Sequence, residues 1–205
     1  VDQAQRPDGL FASIVDLNGA LIDATPRLYE HAFVLLALAA LHRLEPEAGH
    51  GEAAAALRGR LQAFRHPAGG FREAGAETFQ ANPAMHLFEA ALEWEAAGGD
   101  TGWSDLADDL AGLALTCVID PATGALSEFF DAAWSRRTGE AGLLEPGHQF
   151  EWAWLLARWS RLRKDPRGEA AARRLFDVGR RGLDHERGVI VNALWDDFSV
   201  RDAGA

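Results

Sequence analysis

The chain of 205 residues contains 20 Lys and Arg against 31 Asp and Glu, which gives a formal charge of -11, and 48% of its residues are hydrophobic. This composition is that of a folded chain with a real core, and its acidic balance argues against nucleic acid or an anionic membrane surface as partner. Apolar runs of the roughly 18 residues that a membrane helix requires are missing from the sequence.

A turn signature occurs four times along the chain, at residues 6–11, 66–71, 120–126 and 184–190. Three of the four copies have Pro at the second position, and all have Gly near the end of the turn, followed by apolar residues. Because Pro presets φ and Gly permits a positive φ, each copy predicts a tight turn that leads into a short extended segment. The spacing of roughly 55 to 65 residues exceeds that of ankyrin or tetratricopeptide repeats.

Two helical patterns lie between consecutive turns. The first of each pair is apolar on most faces and covers residues 26–44, 83–97 and 148–162. The second has a single apolar stripe and covers residues 51–64, 103–117 and 169–183. A helix that is apolar all round belongs inside, and one with a single stripe belongs outside.

This alternation predicts an all-α fold with an inner and an outer ring of helices, an α/α toroid with short β-like loops between the pairs. We expect one partial toroid domain over residues 1–205, with repeats at approximately 20–66, 81–120 and 147–184. An open solenoid of helix pairs is the alternative. The long loop at 118–147 favours the toroid, because loops in solenoids are usually short and long ordered loops are commonly functional.

Cys117 is the only cysteine of the chain. A lone cysteine cannot form an internal disulfide, which fits a reducing compartment, so we expect a cytoplasmic protein. Cys117 continues the apolar stripe of Trp103, Leu106, Leu110 and Leu113, and this spacing predicts a small core residue.

Polar residues mark the start of each inner helix. Tyr29 lies in the first, Asn82 and His86 in the second, and His148 and Glu151 in the third. Since helix starts of one ring face the same mouth, we expect these side chains to converge on one pocket. The i,i+3 spacing places Glu151 beside His148, where a carboxylate would fix one tautomer of a general base that is neutral near neutral pH.

Structural explanations stay open for the same residues. Asn82 before Pro83 is typical of a helix cap, and His86 on an apolar face is typical of a core histidine. Glu151 fits a capping role as well, and Trp152 fits either the core or the floor of a sugar site.

Other chemistries find less support in the sequence. There is no phosphate loop with Lys, no pair of cysteines for zinc, no His-Glu-x-x-His motif and no Gly-x-Ser-x-Gly motif. A glycosidase with paired carboxylates stays open, and its candidates are Glu128, Asp131 and Glu151.

Three segments resemble successive motifs of the N-acylglucosamine 2-epimerase superfamily. They are Tyr29-Glu30-His31-Ala32-Phe33, Asn82-Pro83-Ala84-Met85-His86-Leu87-Phe88-Glu89-Ala90 and Glu145-Pro146-Gly147-His148-Gln149-Phe150-Glu151-Trp152-Ala153-Trp154. The third segment is most similar to the branch of mannose isomerases and proteins labelled mannose-6-phosphate isomerase. The resemblance covers essentially the whole chain and implies an (α/α)6 barrel, of which this chain would be the middle part with about three of the six helix pairs.

The resemblance also implies an activity, that of an isomerase or 2-epimerase of open-chain hexoses that needs no cofactor and no metal. His148 would move the proton at C2 through a cis-enediolate, Glu151 would orient His148, and the sugar would be bound by Tyr29, Asn82 and His86, with Trp152 as a further contact. The implied substrates are mannose, mannose 6-phosphate or an N-acylhexosamine, and a homodimer is common in the family.

The family has a second catalytic histidine and a substrate-binding arginine in other repeats, and neither has a counterpart in this chain. Leu143-Leu144 stand where related members have an arginine, which argues against a phosphate site at that point. The alternative from another class is a toroid fragment that binds a sugar or a protein without catalysis.

Overall fold

The computed structural model describes residues 4–76, 79–139 and 142–204. Within these ranges the chain forms six α-helices: α1 (Leu28–Leu44), α2 (His50–Arg60), α3 (Ala81–Ala96), α4 (Thr101–Leu113), α5 (Pro146–Arg163) and α6 (Pro166–Gly179). Helix α1 packs on α2, α3 on α4 and α5 on α6, while α1 and α5 both contact α3. This arrangement confirms the prediction of helix pairs with an inner row and an outer row. None of the described helices is both long and apolar enough to cross a bilayer.

Short antiparallel strands lie before α1, before α5 and after α6. Strand β1 (Ile14–Val15) pairs with β2 (Leu21–Asp23), and β4 (Leu183–Asp184) pairs with β5 (Val189–Ile190). A three-stranded sheet joins β3 (Leu143–Leu144), β6 (Ala193–Trp195) and β7 (Val200–Asp202), with β6 in the middle. In this sheet Leu143 lies opposite Trp195, so the segment that enters α5 is fixed to the segment that follows α6.

The four turn signatures share two backbone features. Their glycines have positive φ angles of 77°, 90°, 78° and 66° at Gly9, Gly69, Gly124 and Gly188. Each glycine N–H donates to the carbonyl of the residue that opens its turn, Arg6, His66, Asp120 or Asp184, at 2.8–2.9 Å. Only glycine adopts this left-handed region without strain, which explains its recurrence in the sequence.

Helix α3 is buried nearly all round because it has an inner helix on each side. Buried apolar residues from all six helices join it in one cluster. Helix α1 has only one inner neighbour in this chain, and it leaves Phe33, Leu41 and Leu44 exposed. The prediction that inner helices are buried is therefore confirmed for α3, whereas α1 keeps an uncovered apolar side.

The prediction for Cys117 is wrong, since its side chain is exposed. Helix α4 ends in a π-helical turn at Ala114–Val118, and this turn holds more residues than an α-helical one. The wider turn shifts the register of the apolar stripe by one residue, so that Val118 is buried and Cys117 faces solvent.

Candidate functional site at the starts of the inner helices

His148 lies in the first turn of α5, which begins at Pro146. Its side chain is only 15% exposed, and its Nδ1 lies 2.9 Å from Oε2 of Glu128 and 3.4 Å from Oε2 of Glu145. The shorter distance is that of a charge-assisted hydrogen bond, in which Nδ1–H donates to the carboxylate of Glu128. The ring is thus held through one nitrogen, and Nε2 is left for another contact.

Glu128 comes from the loop between α4 and β3, and its side chain is 3% exposed. Its backbone N–H donates to the carbonyl of Leu143 at 3.1 Å, and its carbonyl accepts the N–H of Ala81 at 3.0 Å. One residue therefore contacts the start of α3, the strand β3 and the histidine of α5. The second carboxylate oxygen, Oε1, is buried and accepts no hydrogen bond within the described part of the chain.

The surroundings of His148 favour its protonated form. Burial lowers its pKa, but the hydrogen bond and charge of Glu128, together with the charges of Glu145 and Glu151, outweigh burial and raise the pKa to about 9. Burial in turn raises the pKa of the Glu128 carboxyl. The expectation of a histidine that is neutral near pH 7 is corrected, since the pair retains a proton on the imidazole there.

A cleft of about 660 Å³ opens beside His148. Glu145 and Glu151 line it on the side of α5, and Asn192, Arg201 and Asp202 line it on the side of the β6–β7 hairpin, among other residues. Glu151 is exposed, and the carboxylate that contacts the imidazole belongs to Glu128 instead. The structure thus places Glu128 in hydrogen-bond contact with His148, where Glu151 was predicted, while Glu151 lies in the cleft itself.

Tyr29 and His86 come together between α1 and α3. Their rings meet edge to face with centroids 5.3 Å apart, and Phe33 lies 4.5 Å from the same imidazole. Nδ1 of His86 also lies 3.2 Å from Oε2 of Glu89. His86 is therefore a partly exposed histidine between two aromatic rings rather than a fully buried core residue.

Asn82 does not cap α3, because the helix begins one residue earlier, at Ala81, and Gln80 is its N-cap. The side-chain oxygen of Asn82 is buried and receives no hydrogen bond from the residues that the structure describes. The backbone N–H of its neighbour Ala81 donates to the carbonyl of Glu128 at 3.0 Å, so the first turn of α3 lies beside the loop of Glu128. An unpaired buried oxygen costs free energy unless a ligand or water satisfies it.

The predicted site residues thus lie at three neighbouring helix starts, but they line more than one cleft. Tyr29 lines a second cleft of about 260 Å³ with Glu73 and Pro83, among other residues, whereas His148 and Glu151 line the larger one. Glu128 connects the starts of α3 and α5, because its carbonyl accepts the N–H of Ala81 and its carboxylate contacts the imidazole of His148.

The prediction that Trp152 contacts a sugar is not supported. Its ring is 0% exposed and packs against Phe88 of α3, with centroids 5.8 Å apart. A ring face covered in this way is a core contact between α5 and α3, as the structural explanation of this residue expects.

The carboxylates proposed for a glycosidase have other roles in the structure. Glu128 is buried against His148. Asp131 is exposed, and its Oδ1 accepts the backbone N–H groups of Ala133 and Ser135 in a turn. These contacts explain both residues without glycosidase chemistry.

Glu128, Glu145 and His148 offer donor atoms that all lie within 4.8 Å of one another, which is the spacing that a bound cation would need. The 2.9 Å hydrogen bond already accounts for the approach of Nδ1 and Oε2, so we interpret the group as a carboxylate–imidazole pair. That the chemistry needs no metal and no cofactor stays a prediction.

The contact of Glu128 with His148 was not predicted from the sequence, in which Glu128 is a candidate only for a glycosidase. A signal was present, since Ser127-Glu128 interrupts the apolar residues Ala125, Leu126, Phe129 and Phe130 in a long loop. A charged residue within such a run is typical of a buried carboxylate that has a specific partner.

Comparisons with known proteins place this geometry in a family. The sequence pattern described as N-acylglucosamine 2-epimerase (GlcNAc 2-epimerase) matches residues 1–204. The chain is 44% identical to a mannose-6-phosphate isomerase of Rhizobium meliloti (strain 1021), over 98% of this chain and 54% of that protein. It is 31% identical to a D-mannose isomerase of Thermobifida fusca, over 78% of this chain and 43% of that protein.

The fold is similar to that of a solved structure. Cellobiose 2-epimerase from Bacillus thermoamylovorans B4167 superposes with a TM-score of 0.86 at 15% identity, over 98% of this chain and 56% of that chain. The chain therefore spans about half the length of the relatives it matches. The three motifs, the helix pairs and the match over residues 1–204 lead to one conclusion: the chain belongs to the N-acylglucosamine 2-epimerase family.

Proposed function

We propose that this chain is part of a sugar isomerase or 2-epimerase that moves a proton between C1 and C2 of an open-chain hexose, with His148 as its acid–base group. The position of His148 carries the proposal. The residue lines a cleft of about 660 Å³, and its Nδ1 is hydrogen-bonded to the carboxylate of Glu128. An imidazole engaged at one nitrogen is set to exchange a proton at the other.

In the proposed reaction, Nε2 of His148 in its neutral form takes the proton from C2 of the aldose. The C–H electron pair forms the C1–C2 double bond, and the carbonyl oxygen at C1 becomes the enediolate oxygen. Return of the proton to C1, with transfer of the O2 proton to O1, gives the ketose. Return of a proton to the opposite face of C2 gives the epimer.

The remaining site residues would bind the sugar. Asn82 brings a buried side-chain oxygen without a hydrogen bond among the described residues, which suits a hydroxyl donor. Tyr29 and His86 bring a polar edge and an aromatic surface at the neighbouring helix starts, with Tyr29 in the second cleft, so they would contact a part of the sugar that extends beyond the cleft of His148. Glu151 lies in the cleft of His148 and is placed to accept from a sugar hydroxyl.

The charges of the cleft favour an uncharged hexose over a phosphorylated one. Its lining includes the carboxylates of Glu145, Glu151 and Asp202 against the guanidinium of Arg201 and the imidazole of His148. A phosphate monoester brings up to two negative charges, and like charges in a confined cleft repel. The 44% identical relative is named for mannose 6-phosphate and the 31% identical one for D-mannose, so this choice requires measurement.

The test is solvent proton exchange. Purified protein is incubated in D₂O with mannose, mannose 6-phosphate or an N-acylhexosamine, and deuterium at C1 and C2 is followed by NMR. We expect exchange that His148→Gln abolishes, with faster exchange for the uncharged sugar. Exchange that persists in His148→Gln would remove this residue from the mechanism.

The same experiment separates the alternatives. Saturable binding of a sugar without any exchange would identify a binding protein, and release of reducing ends from an oligosaccharide would identify a glycosidase. A homodimer and a cytoplasmic location both stay predictions.

A further inference from the structure

We propose that Glu128 is a positioning residue, which fixes the ring of His148 so that Nε2 is the nitrogen offered to the cleft. The inference rests on the proposed function for its catalytic consequence, but the state of the ring can be measured without any substrate. Glu128 does not line the cleft among the residues that define it, so it would act through His148 alone.

The first argument is the burial and anchoring of the carboxylate. The side chain of Glu128 is 3% exposed, and its backbone is bonded on one side to Leu143 and on the other to Ala81. A side chain with both backbone groups fixed has little freedom to leave its partner. The hydrogen bond to His148 is therefore part of the framework that joins α3, β3 and α5.

The second argument is the contrast with the other carboxylates around the ring. Glu145 lies 3.4 Å from Nδ1, but its side chain is 40% exposed, and Glu151 is exposed in the cleft. From the opposite wall, β7 contributes Asp202 and Arg201. Solvent screens exposed charges far more than buried ones, so the buried Glu128 has the largest influence on the imidazole.

Two consequences follow from a buried carboxylate at Nδ1. When His148 is neutral, its remaining proton stays on Nδ1, so that Nε2 carries the lone pair. The charge of Glu128 also stabilises the imidazolium, which makes His148 a stronger base than an isolated histidine. Both effects serve proton abstraction from a carbon acid, which requires a basic nitrogen in one orientation.

The experiment is an NMR titration of ¹⁵N-histidine-labelled protein, with the His148 signals assigned by their loss in His148→Gln. In the unaltered protein we expect the Nδ1–H tautomer at high pH. Glu128→Gln retains an acceptor of the same shape but removes the charge, and we expect it to lower the His148 pKa by about 1–3 units. Glu145→Gln is the matched control, and its effect should be less than half as large.

Activity provides an independent readout. Because Glu128 is placed outside the cleft lining, Glu128→Gln should leave KM within twofold and lower kcat for proton exchange at least tenfold on the plateau above pH 9, where His148 is neutral in both proteins. Glu128→Asp should restore part of this kcat. An Nε2–H tautomer in the unaltered protein would overturn the proposal, even where a variant fails to fold. An equal pKa change in Glu145→Gln would overturn it as well. Absence of exchange with every sugar would count against the proposed function and leave the titration result intact.

Discussion

Glu73 caps helix α1 from outside that helix: its Oε2 accepts the backbone N–H of Tyr29 at 2.9 Å. Its other oxygen accepts the N–H of Leu28 at 3.1 Å, and its side chain is 7% exposed. The helix itself begins after Arg27, whose side chain makes no capping hydrogen bond. A residue from the segment between α2 and α3 thus satisfies the free N–H groups of the helix that bears Tyr29.

Removal of this cap should destabilise the protein. We expect Glu73→Ala to lower the free energy of unfolding by about 1–3 kcal/mol, because two buried N–H groups lose their acceptor. Glu73→Gln keeps one acceptor and should lose less. Urea unfolding followed by circular dichroism measures both values, and an alanine variant within about 0.5 kcal/mol of the parent would contradict this role.

His31 should make stability sensitive to acid. It is 0% exposed, its Nε2 accepts the N–H of Phe11 at 2.9 Å and its Nδ1 contacts the carbonyl of Arg27. Burial lowers its pKa, so the unfolded chain takes up a proton near pH 6.5 that the folded protein resists. Stability is therefore complete above about pH 6.5 and falls as the pH drops below it, by up to about 1.4 kcal/mol per pH unit.

The measurement is urea unfolding between pH 7.5 and pH 5. His31→Gln, which has no titrating ring, is the comparison, and its stability should fall less over this interval. The ion pair of His148 is present in both proteins, so its own pH dependence, which lies above pH 6.5 because its pKa is raised, cancels in the comparison. Identical pH dependence in the two proteins would show that His31 does not titrate in this way.

The activity should depend on pH through His148. Proton abstraction needs the neutral imidazole, and the pKa of His148 is raised to about 9. The rate of exchange at C2 should therefore increase roughly tenfold per pH unit below that value and level off above it. The profile of kcat/KM against pH is the measurement, and a plateau that begins at pH 6.5 would mean that the surrounding carboxylates do not raise the pKa.

Two adjacent glycines provide a matched test of packing in the second turn. Both have a positive φ, 90° at Gly69 and 68° at Gly70. A Cβ at Gly70 would lie 2.6 Å from Cζ2 of Trp134 and 2.7 Å from Cδ2 of Leu113, whereas at Gly69 it would meet nothing within 4 Å.

Alanine at either position requires the left-handed backbone region, at a cost of about 1–2 kcal/mol. Gly70→Ala should lose about 1–3 kcal/mol more than Gly69→Ala, because it also forces Trp134 or Leu113 to move. Thermal unfolding of the two variants gives the difference directly. Equal losses would show that these side chains yield without strain.

Much of the fold could be predicted because its signals are local. Apolar periodicity marks the helices, and the positive-φ glycines mark the turns, since both depend on residues close together in the chain. The exposure of Cys117 could not be predicted in this way, because a single π-helical turn shifts the stripe and has no clear signature in residues 114–118.

The site was predictable only in part, for the same physical reason. The motif residues lie at the starts of helices, and these starts can be located from the local sequence pattern. The partners of each side chain, however, depend on how loops distant in the sequence pack against the helix. Spacing along one helix indicates Glu151 as the partner of His148, whereas the folded loop presents Glu128. Gln149 is similar, since its buried amide exchanges two hydrogen bonds with the backbone of Leu126, a contact that no spacing rule indicates.

The capping of α1 by Glu73 and the double backbone anchoring of Glu128 have a consequence for how such a protein diversifies. The starts of α1 and α3 are each held by a residue from a different loop, so a substitution in one of these loops changes one helix start and leaves the other in place. Under the proposed function, a different sugar preference could then evolve through substitutions in a single loop, while the packing of the helices is kept.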